Sequence, residues 1–266
     1  MAPPVDAYLC SYPKSGRTWM RFALANLIDE FYGLDLDLDM ENMFGLIPND
    51  DGRKNTQPWK TLESYRFAER SDVPMIAMSH RRLDQRFDSL PIVLLMRTPA
   101  DSLVSRYYHM SRHAGQFKDG IDQFAHDPRY GIPSLVEYFA SWEPHSEDQN
   151  VVAVTYEQLR SEPLEPFGRI VAQMGIDATP DQLARALEMS SVDRMREVER
   201  KSGVGQPNNY DRSDPQAMRV RSARVGGWRE ELSQQTSDDL VEAFSRSEAA
   251  TALLQRYSIA PQLASN

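Results

Sequence analysis

The sequence predicts an α/β fold in which a central parallel sheet is flanked by helices, giving three layers. Three observations predict it. Short apolar runs alternate with longer stretches of helical periodicity along the chain. The run Ile92–Met96 (IVLLM) is apolar at every position, as a strand buried on both faces must be. A turn of small and basic residues, YPKSGRTW, joins the first apolar run to the first helical pattern.

The elements follow in order. Residues 5–11 read as the first strand, 75–79 (MIAMS) as the second, Ile92–Met96 as the third and Val151–Thr155 (VVAVT) as the fourth. Trp19, Phe22, Ala23, Leu27 and Ile28 recur at helical spacing, and Leu103, Tyr107 and Met110 form a second stripe. Further helices are expected at 134–141 and 164–174. Another opens at Pro180, because proline suits a first helical turn. Residues 238–244 and 248–257 read as C-terminal helices. Two stretches resist regular assignment: 35–58, rich in Asp, Asn and Gly, and 201–225, rich in Gly, Asn, Pro and Arg. Long irregular segments in a compact domain are functional loops or disordered. The expected organisation is one domain over residues 1–266, with lid-like loops at about 35–58 and 201–225; Gly203, Gly205 and Pro207 suggest mobility in the second.

Composition narrows the function classes. The chain has 266 residues, 41% hydrophobic and 26% charged, which is ordinary globular composition. Thirty Lys and Arg against 39 Asp and Glu give a net charge of −9. A global cationic field is absent, which argues against nucleic-acid partners and anionic membranes. The single cysteine, Cys10, forbids an intrachain disulfide and Cys-based zinc sites. The five histidines show no metal-site spacing, so no metal is expected. No secretory leader and no apolar run long enough to span a membrane are evident, and a cytoplasmic location is expected.

The most informative segment is 12–19. A helix N-terminus presents free N–H groups and a partial positive charge. Gly16 lets backbone approach an anion, Lys14 adds a full charge, and Ser15 and Thr18 add hydroxyl donors. Together they form a cradle for phosphate or sulfonate. The bland alternative is a simple turn with Thr18 as a helix cap. An ATP-binding P-loop needs GxxxxGK[ST], with lysine after the second glycine. Here Lys14 precedes Gly16 and no earlier glycine exists.

The segment YPKSGRTW resembles the PKSGTTW loop of the sulfotransferases that use 3′-phosphoadenosine 5′-phosphosulfate, with Arg17 where that family usually has Thr. The resemblance implies a P-loop-like three-layer sandwich of the cytosolic, small-molecule type. It implies that Lys14, Ser15, Gly16, Arg17 and Thr18 hold the 5′-phosphosulfate, and that Trp19 stacks on adenine.

Other segments extend the resemblance in the right order. Residues 97–105 (RTPADSLVS) resemble the RNPxDxxVS block, which makes Arg97 and Ser105 ligands of the 3′-phosphate. Arg97 ends a strand, where α/β proteins bind ligands, and a guanidinium can grip phosphate with two parallel bonds. The alternative is an Arg97–Asp101 pair. Residues 78–83 (MSHRRL) resemble the K-[TS]-H-x-x-x-L segment, which makes His80 the catalytic base. A neutral imidazole can take the proton of an attacking hydroxyl. The other histidines have no such context. Residues 154–157 resemble V-x-YE[DE] and place Tyr156 near adenine and the 3′-phosphate, although Tyr156 also suits a core. Residues 190–195 resemble TSFxxM: Ser190 keeps the hydroxyl, and Val192 replaces the stacking aromatic. Residues 221–228 (RSARVGGW) resemble RKGxxGDW. Arg221, Gly226 and Trp228 match, while Ser222 and Ala223 replace Lys and Gly, with Arg224 or Arg219 as compensating cations.

The resemblance implies sulfuryl transfer to a hydroxyl or amine of a small-molecule acceptor, with Lys14 stabilising the leaving phosphate and His80 deprotonating the acceptor. The acceptor-facing stretches 44–59, 112–142 and 201–220 match nothing. Phe117, Phe124, Tyr130, Tyr138 and Phe139 line an apolar pocket on one reading and belong to the core on the other. The stretch 229–238 lacks the Thr-Val centre of the family's dimer segment, and the sequence leaves the oligomeric state open. The alternatives are a nucleotide-dependent small-molecule kinase and a non-catalytic nucleotide-binding module. The first lacks its Walker-type loop, and the second has no need of both Lys14 and His80.

Overall fold

The computed structural model describes residues 4–51, 60–87, 89–202, 211 and 213–259. Four strands form one parallel sheet: β1 Ala7–Ser11, β2 Ile76–Ser79, β3 Ile92–Met96 and β4 Val151–Thr155, in the order β2-β1-β3-β4. The register sets Leu9 beside Met78 on one side and Val93 on the other, and Leu94 beside Ala153.

Because strand side chains alternate, each strand feeds two cores. Ala7, Leu9, Val93 and Leu95 pack on one face with Leu24, Leu27 and Phe167. Tyr8, Cys10, Leu94 and Met96 pack on the other with Leu103, Phe139 and Trp142. The first face is covered by α1 (Arg17–Tyr32), α6 (Leu164–Gln173) and α7 (Pro180–Met189). The second is covered by α2 (Pro99–Tyr108), α4 (Ile132–Trp142), α9 (Gln234–Ser245) and α10 (Glu248–Arg256). This is the expected helix–sheet–helix sandwich. All five residues of β3 are buried, so a truncation such as Leu94→Ala costs about 2–5 kcal/mol.

Three helices have little sequence signal: α3 (Ile121–His126), α5 (Tyr156–Ser161) and α8 (Val192–Ser202). The start of α5 is fixed by a capping box in which Thr155 and Gln158 exchange side-chain and backbone hydrogen bonds. The stretch 35–58 is irregular but not loose where it is described. A 3-10 turn at Asn42–Gly45 buries Met43 and Phe44, and Asn49 bridges to Thr61 and Met78. Gly203, Gly205 and Pro207 lie outside the described residues; of the expected lid, 201–202 close α8, and the rest can be followed at 211 and from 213 onward. Among the described residues no helix is long and apolar enough to cross a membrane.

The strand order decides where a site can form. The chain leaves β1 to reach β2 on one side, then returns across β1 to β3 on the other. The carboxyl ends of β1 and β3 therefore flank a topological switch point, where open α/β sheets leave a crevice. The loop 12–16 and Arg97 emerge there.

Candidate active site

A cavity of about 500 Å³ opens at this crevice. It is lined by Lys14, Gly16, Arg17, Thr18, Trp19, His80, Arg97, Ser105, Tyr156, Arg221, Ser222 and Ala223. Segments far apart in sequence are thus brought to one space.

The cradle is built as follows. Lys14 has φ 75° and Gly16 φ 101°, so the loop doubles back before α1 begins. The first helical bond runs from Met20 N–H to the Gly16 carbonyl. The amides of Arg17, Thr18 and Trp19 therefore have no helical carbonyl to serve and face the start of the helix. A Cβ on Gly16 would stand 2.7 Å from Tyr156 Cδ2, so glycine is required for space as well as for φ. Ser15 departs from the expectation. It is fully buried and not among the lining residues, and its N–H is bonded to the Tyr12 carbonyl at 3.3 Å. Its hydroxyl has no protein partner.

Arg97 is buried at the end of β3. It donates to the Lys14 carbonyl at 3.2 Å and to the Arg224 carbonyl at 2.9 Å, and stacks on the Tyr156 ring at 4.4 Å. Its Nε has no partner. Asp101 is not paired with Arg97: its carboxylate accepts the amides of Gly226 at 2.7 Å and Trp228 at 3.1 Å. That contact anchors the segment 221–228 beside α2. Arg221 is held by Glu231 at 3.2 Å and lies 4.3 Å from the Tyr108 ring centroid. Its Nε is also unpartnered. Ala223, where the family carries glycine, has φ 52°. Arg224 pairs with Glu230 on the exterior and Arg219 lines the cavity, so of the two candidate compensating cations only Arg219 is in place. Trp19 meets Tyr156 edge to face at 5.8 Å, with Arg160 over the indole at 5.7 Å.

Ser190 is placed elsewhere. It is buried at the end of α7, and its hydroxyl bonds the carbonyls of Ala186 at 2.9 Å and Leu187 at 3.1 Å. A helix C-terminus leaves carbonyls unsatisfied, and this hydroxyl is spent on them. Val192 and Met195 line the cavity instead. Of the five aromatics, Tyr130 lines the cavity, whereas Phe124, Tyr138 and Phe139 are core.

His80 follows β2. Its Nδ1 is 2.7 Å from the Ser11 carbonyl oxygen. A carbonyl can only accept, which puts the proton on Nδ1 and leaves Nε2 as a base. The His80 backbone N–H donates to Asp51 at 2.7 Å, and Asp51 pairs with Arg17 at 3.4 Å. Burial and the Arg17 charge, opposed by Asp51, push the imidazole down to about 3. Lys14 is pushed down to about 7 by burial and by the cations Arg219, Arg97 and Arg221, against the pull of Glu199. Both side chains line the cavity and are half-buried.

Sequence reasoning missed Asp51, Arg21, Lys60, Arg106 and His109, all of which line the same space. Asp51 lies in the irregular stretch 35–58 and Lys60 just beyond it, where no periodicity marks a residue as inward. His109 sits in a π-helical turn, His109–His113, that spacing alone does not reveal. Among the described residues no cluster of His, Cys, Asp and Glu could hold a metal ion.

The guanidinium groups of Arg97 and Arg221 on the cavity wall and the free amides that open α1 fit a donor with two phosphate groups. The chain is 24% identical over 261 residues to Sulfotransferase 6B1 of Danio rerio, spanning 94% of this chain and 81% of that protein. The crystal structure of mouse sulfotransferase SULT7A1 complexed with PAP superposes with a TM-score of 0.62 at 22% identity, covering 94% of this chain and 88% of that one. Retinol dehydratase in a complex with retinol and PAP superposes with a TM-score of 0.68 at 15% identity, covering 96% and 83%. These likenesses establish a shared fold. The model of the sulfotransferase domain matches residues 4–253, nearly the whole chain, and the protein therefore belongs to the sulfotransferase family.

Proposed function

We propose that this cavity transfers a sulfuryl group from 3′-phosphoadenosine 5′-phosphosulfate to a hydroxyl or amine of a small-molecule acceptor in the cytoplasm. The carrying observation is the imidazole of His80, its Nδ1 proton committed to the Ser11 carbonyl, on the same cavity as Lys14 and the amides that open α1. When bound, the donor supplies a sulfur activated by its anhydride link to phosphate.

The chain's own groups do the rest. Arg97, Ser105 and Arg221 grip the 3′-phosphate, Ser222 and Ala223 border it, and Trp19 and Tyr156 flank the adenine. Lys14 and the amides of Gly16 to Trp19 hold the 5′-phosphate oxygen on which charge builds as its bond to sulfur breaks. Preorganised donors of this kind lower the barrier by about 3–4 kcal/mol each. His80 Nε2 takes the acceptor proton as the new bond to sulfur forms. Depression to about 3 in the free protein keeps the imidazole neutral at pH 7 but also weakens it as a base, since a base works best with a pKa near the operating pH. Asp51 and Arg17 hold the backbone of His80 in place. Residues 1–266 act as a single catalytic domain.

The test is His80→Asn, assayed for sulfated product with a panel of simple phenols. Turnover falls by roughly 10²–10⁴ while the affinity for 3′-phosphoadenosine 5′-phosphate (PAP) stays near that of wild type. Turnover equal to wild type removes His80 from the mechanism.

A further inference from the structure

Arg17 stands where the family loop usually carries an uncharged Thr, so this chain adds a cation at the first residue of α1. Arg17, Asp51 and His80 line the cavity together. The three are joined in a row. The Asp51 carboxylate accepts the His80 backbone N–H at 2.7 Å. Its two oxygens accept from the two Nη atoms of Arg17, each at 3.4 Å. Charge-assisted bonds of full strength are about 2.7–2.9 Å long, so Asp51 is anchored to His80 and holds Arg17 loosely. The two side chains are only 12% and 13% exposed, so salt screens them little. Arg17 also contributes one of the unserved amides that open α1, so its backbone and its side chain both border the cradle.

Charged and polar groups face His80 from several elements. Burial lowers its affinity for a proton most, and Arg17 of α1 lowers it further. Asp51 and the Ser11 carbonyl of β1 oppose them, and Arg106 of α2 adds a smaller push in the direction of Arg17. His109, in the π-helical turn after α2, faces the site as a second imidazole and is itself pushed well down by burial. Burial by itself would raise the Asp51 carboxyl, but Arg17 and His80 hold it well below the usual carboxylate range. Among these charges Arg17 acts most strongly against a His80 imidazolium, and Asp51 acts for it. While the two are paired, their fields at His80 largely cancel. An anion that pairs with Arg17 offsets the cation instead and leaves the field of Asp51 unopposed.

We infer that Arg17 is a positioning residue that ties the base to the donor: Asp51 and the 5′-phosphate of the nucleotide compete for its guanidinium, and Arg17 releases Asp51 to support a His80 imidazolium once the cradle is filled. This rests on the donor and base assignments above. His80 is then a weak base until the nucleotide is in place and a stronger one afterwards, so the acceptor proton is drawn beside a loaded donor.

The experiment follows the His80 Cε1–H resonance by NMR from about pH 4 to about 8, without and with saturating PAP, the resonance being assigned by its loss in His80→Asn. PAP raises the His80 midpoint by about 1–3 pH units, into that window. Arg17→Met gives a comparable rise without nucleotide, and PAP then adds less than half of the wild-type shift. Arg17→Lys, which keeps the charge, keeps the low midpoint of the wild type. Calorimetry supplies a second readout. Asp51→Asn keeps an oxygen for the His80 amide and removes the competitor, so PAP binds at least about threefold more tightly. That gain shrinks in an Arg17→Met background, because the competition is for Arg17. A His80 midpoint that PAP does not move, or that stays below the window in both states, overturns the inference, as does equal or weaker PAP binding by Asp51→Asn. Failure of PAP to bind the wild type overturns the donor reading instead, and full turnover by His80→Asn overturns the base reading, so the three are separable. The wild-type titration decides the matter even if a variant does not fold.

Discussion

Replacing Gly16 by alanine tests the cradle at its tightest point. Two costs add. An L-residue in the left-handed region costs roughly 1–2 kcal/mol, and φ here is 101°. The new methyl would meet Tyr156 Cδ2 at 2.7 Å and Cε2 at 3.2 Å. That ring cannot swing away freely, because Arg97 stacks on it at 4.4 Å and Trp19 meets it at 5.8 Å. Overpacking of this kind costs about 1–3 kcal/mol. The sum is about 2–5 kcal/mol, and each kcal/mol lowers Tm by about 2–4 °C in a chain of this size. Denaturant unfolding with PAP titration reads both stability and donor affinity. The clash also predicts coupling: Tyr156→Ala removes the obstacle, so the double variant recovers at least about 1 kcal/mol relative to additivity. A Gly16→Ala cost below about 0.5 kcal/mol refutes the geometry. Strict additivity with Tyr156→Ala refutes the contact.

Two further outcomes are expected. Lys14 is pushed down to about 7 in the free protein, and a bound 5′-phosphate raises it again, so binding takes up a proton above that pH. PAP affinity therefore declines from about pH 7 to 9, and Lys14→Met abolishes that slope; a flat profile in the wild type contradicts the assignment. By contrast, Arg224→Ala leaves PAP affinity within about twofold, because its side chain is paired with Glu230 in solvent and only its backbone carbonyl serves Arg97; a larger loss, measured by the same titration, would return Arg224 to the donor site.

The parts legible in sequence are those where local chemistry and long-range order coincide. β3 is apolar at every position because both faces are covered, and the turn before α1 needs its glycine and lysine for reasons local to the loop. Arg97 and His80 were readable because each follows a strand, and strand ends converge on the crevice. Other features depend on partners distant in sequence. Asp101 reads as a partner for Arg97, yet the fold brings the Gly226 and Trp228 amides to it from more than a hundred residues away. Ser190 carries a suitable hydroxyl, but the carbonyls of its own helix end claim it. α8 carries only Val192, Met195 and Val198 as an apolar stripe, and it buries Glu199 because that carboxylate caps the amides of Arg219 and Val220. No periodicity announces a buried carboxylate of that kind.

The central claim is a site built for a nucleotide with a 3′-phosphate. Calorimetric titration with PAP and with ATP in parallel, on wild type and Arg97→Ala, tests it most directly. Arg97 offers hydrogen bonds worth roughly 1.5–3 kcal/mol each to a 3′-phosphate that ATP lacks. The account predicts PAP binding at least about 100-fold tighter than ATP, and loss of most of that preference in the variant. Preference for ATP, or no nucleotide binding at all, would contradict it.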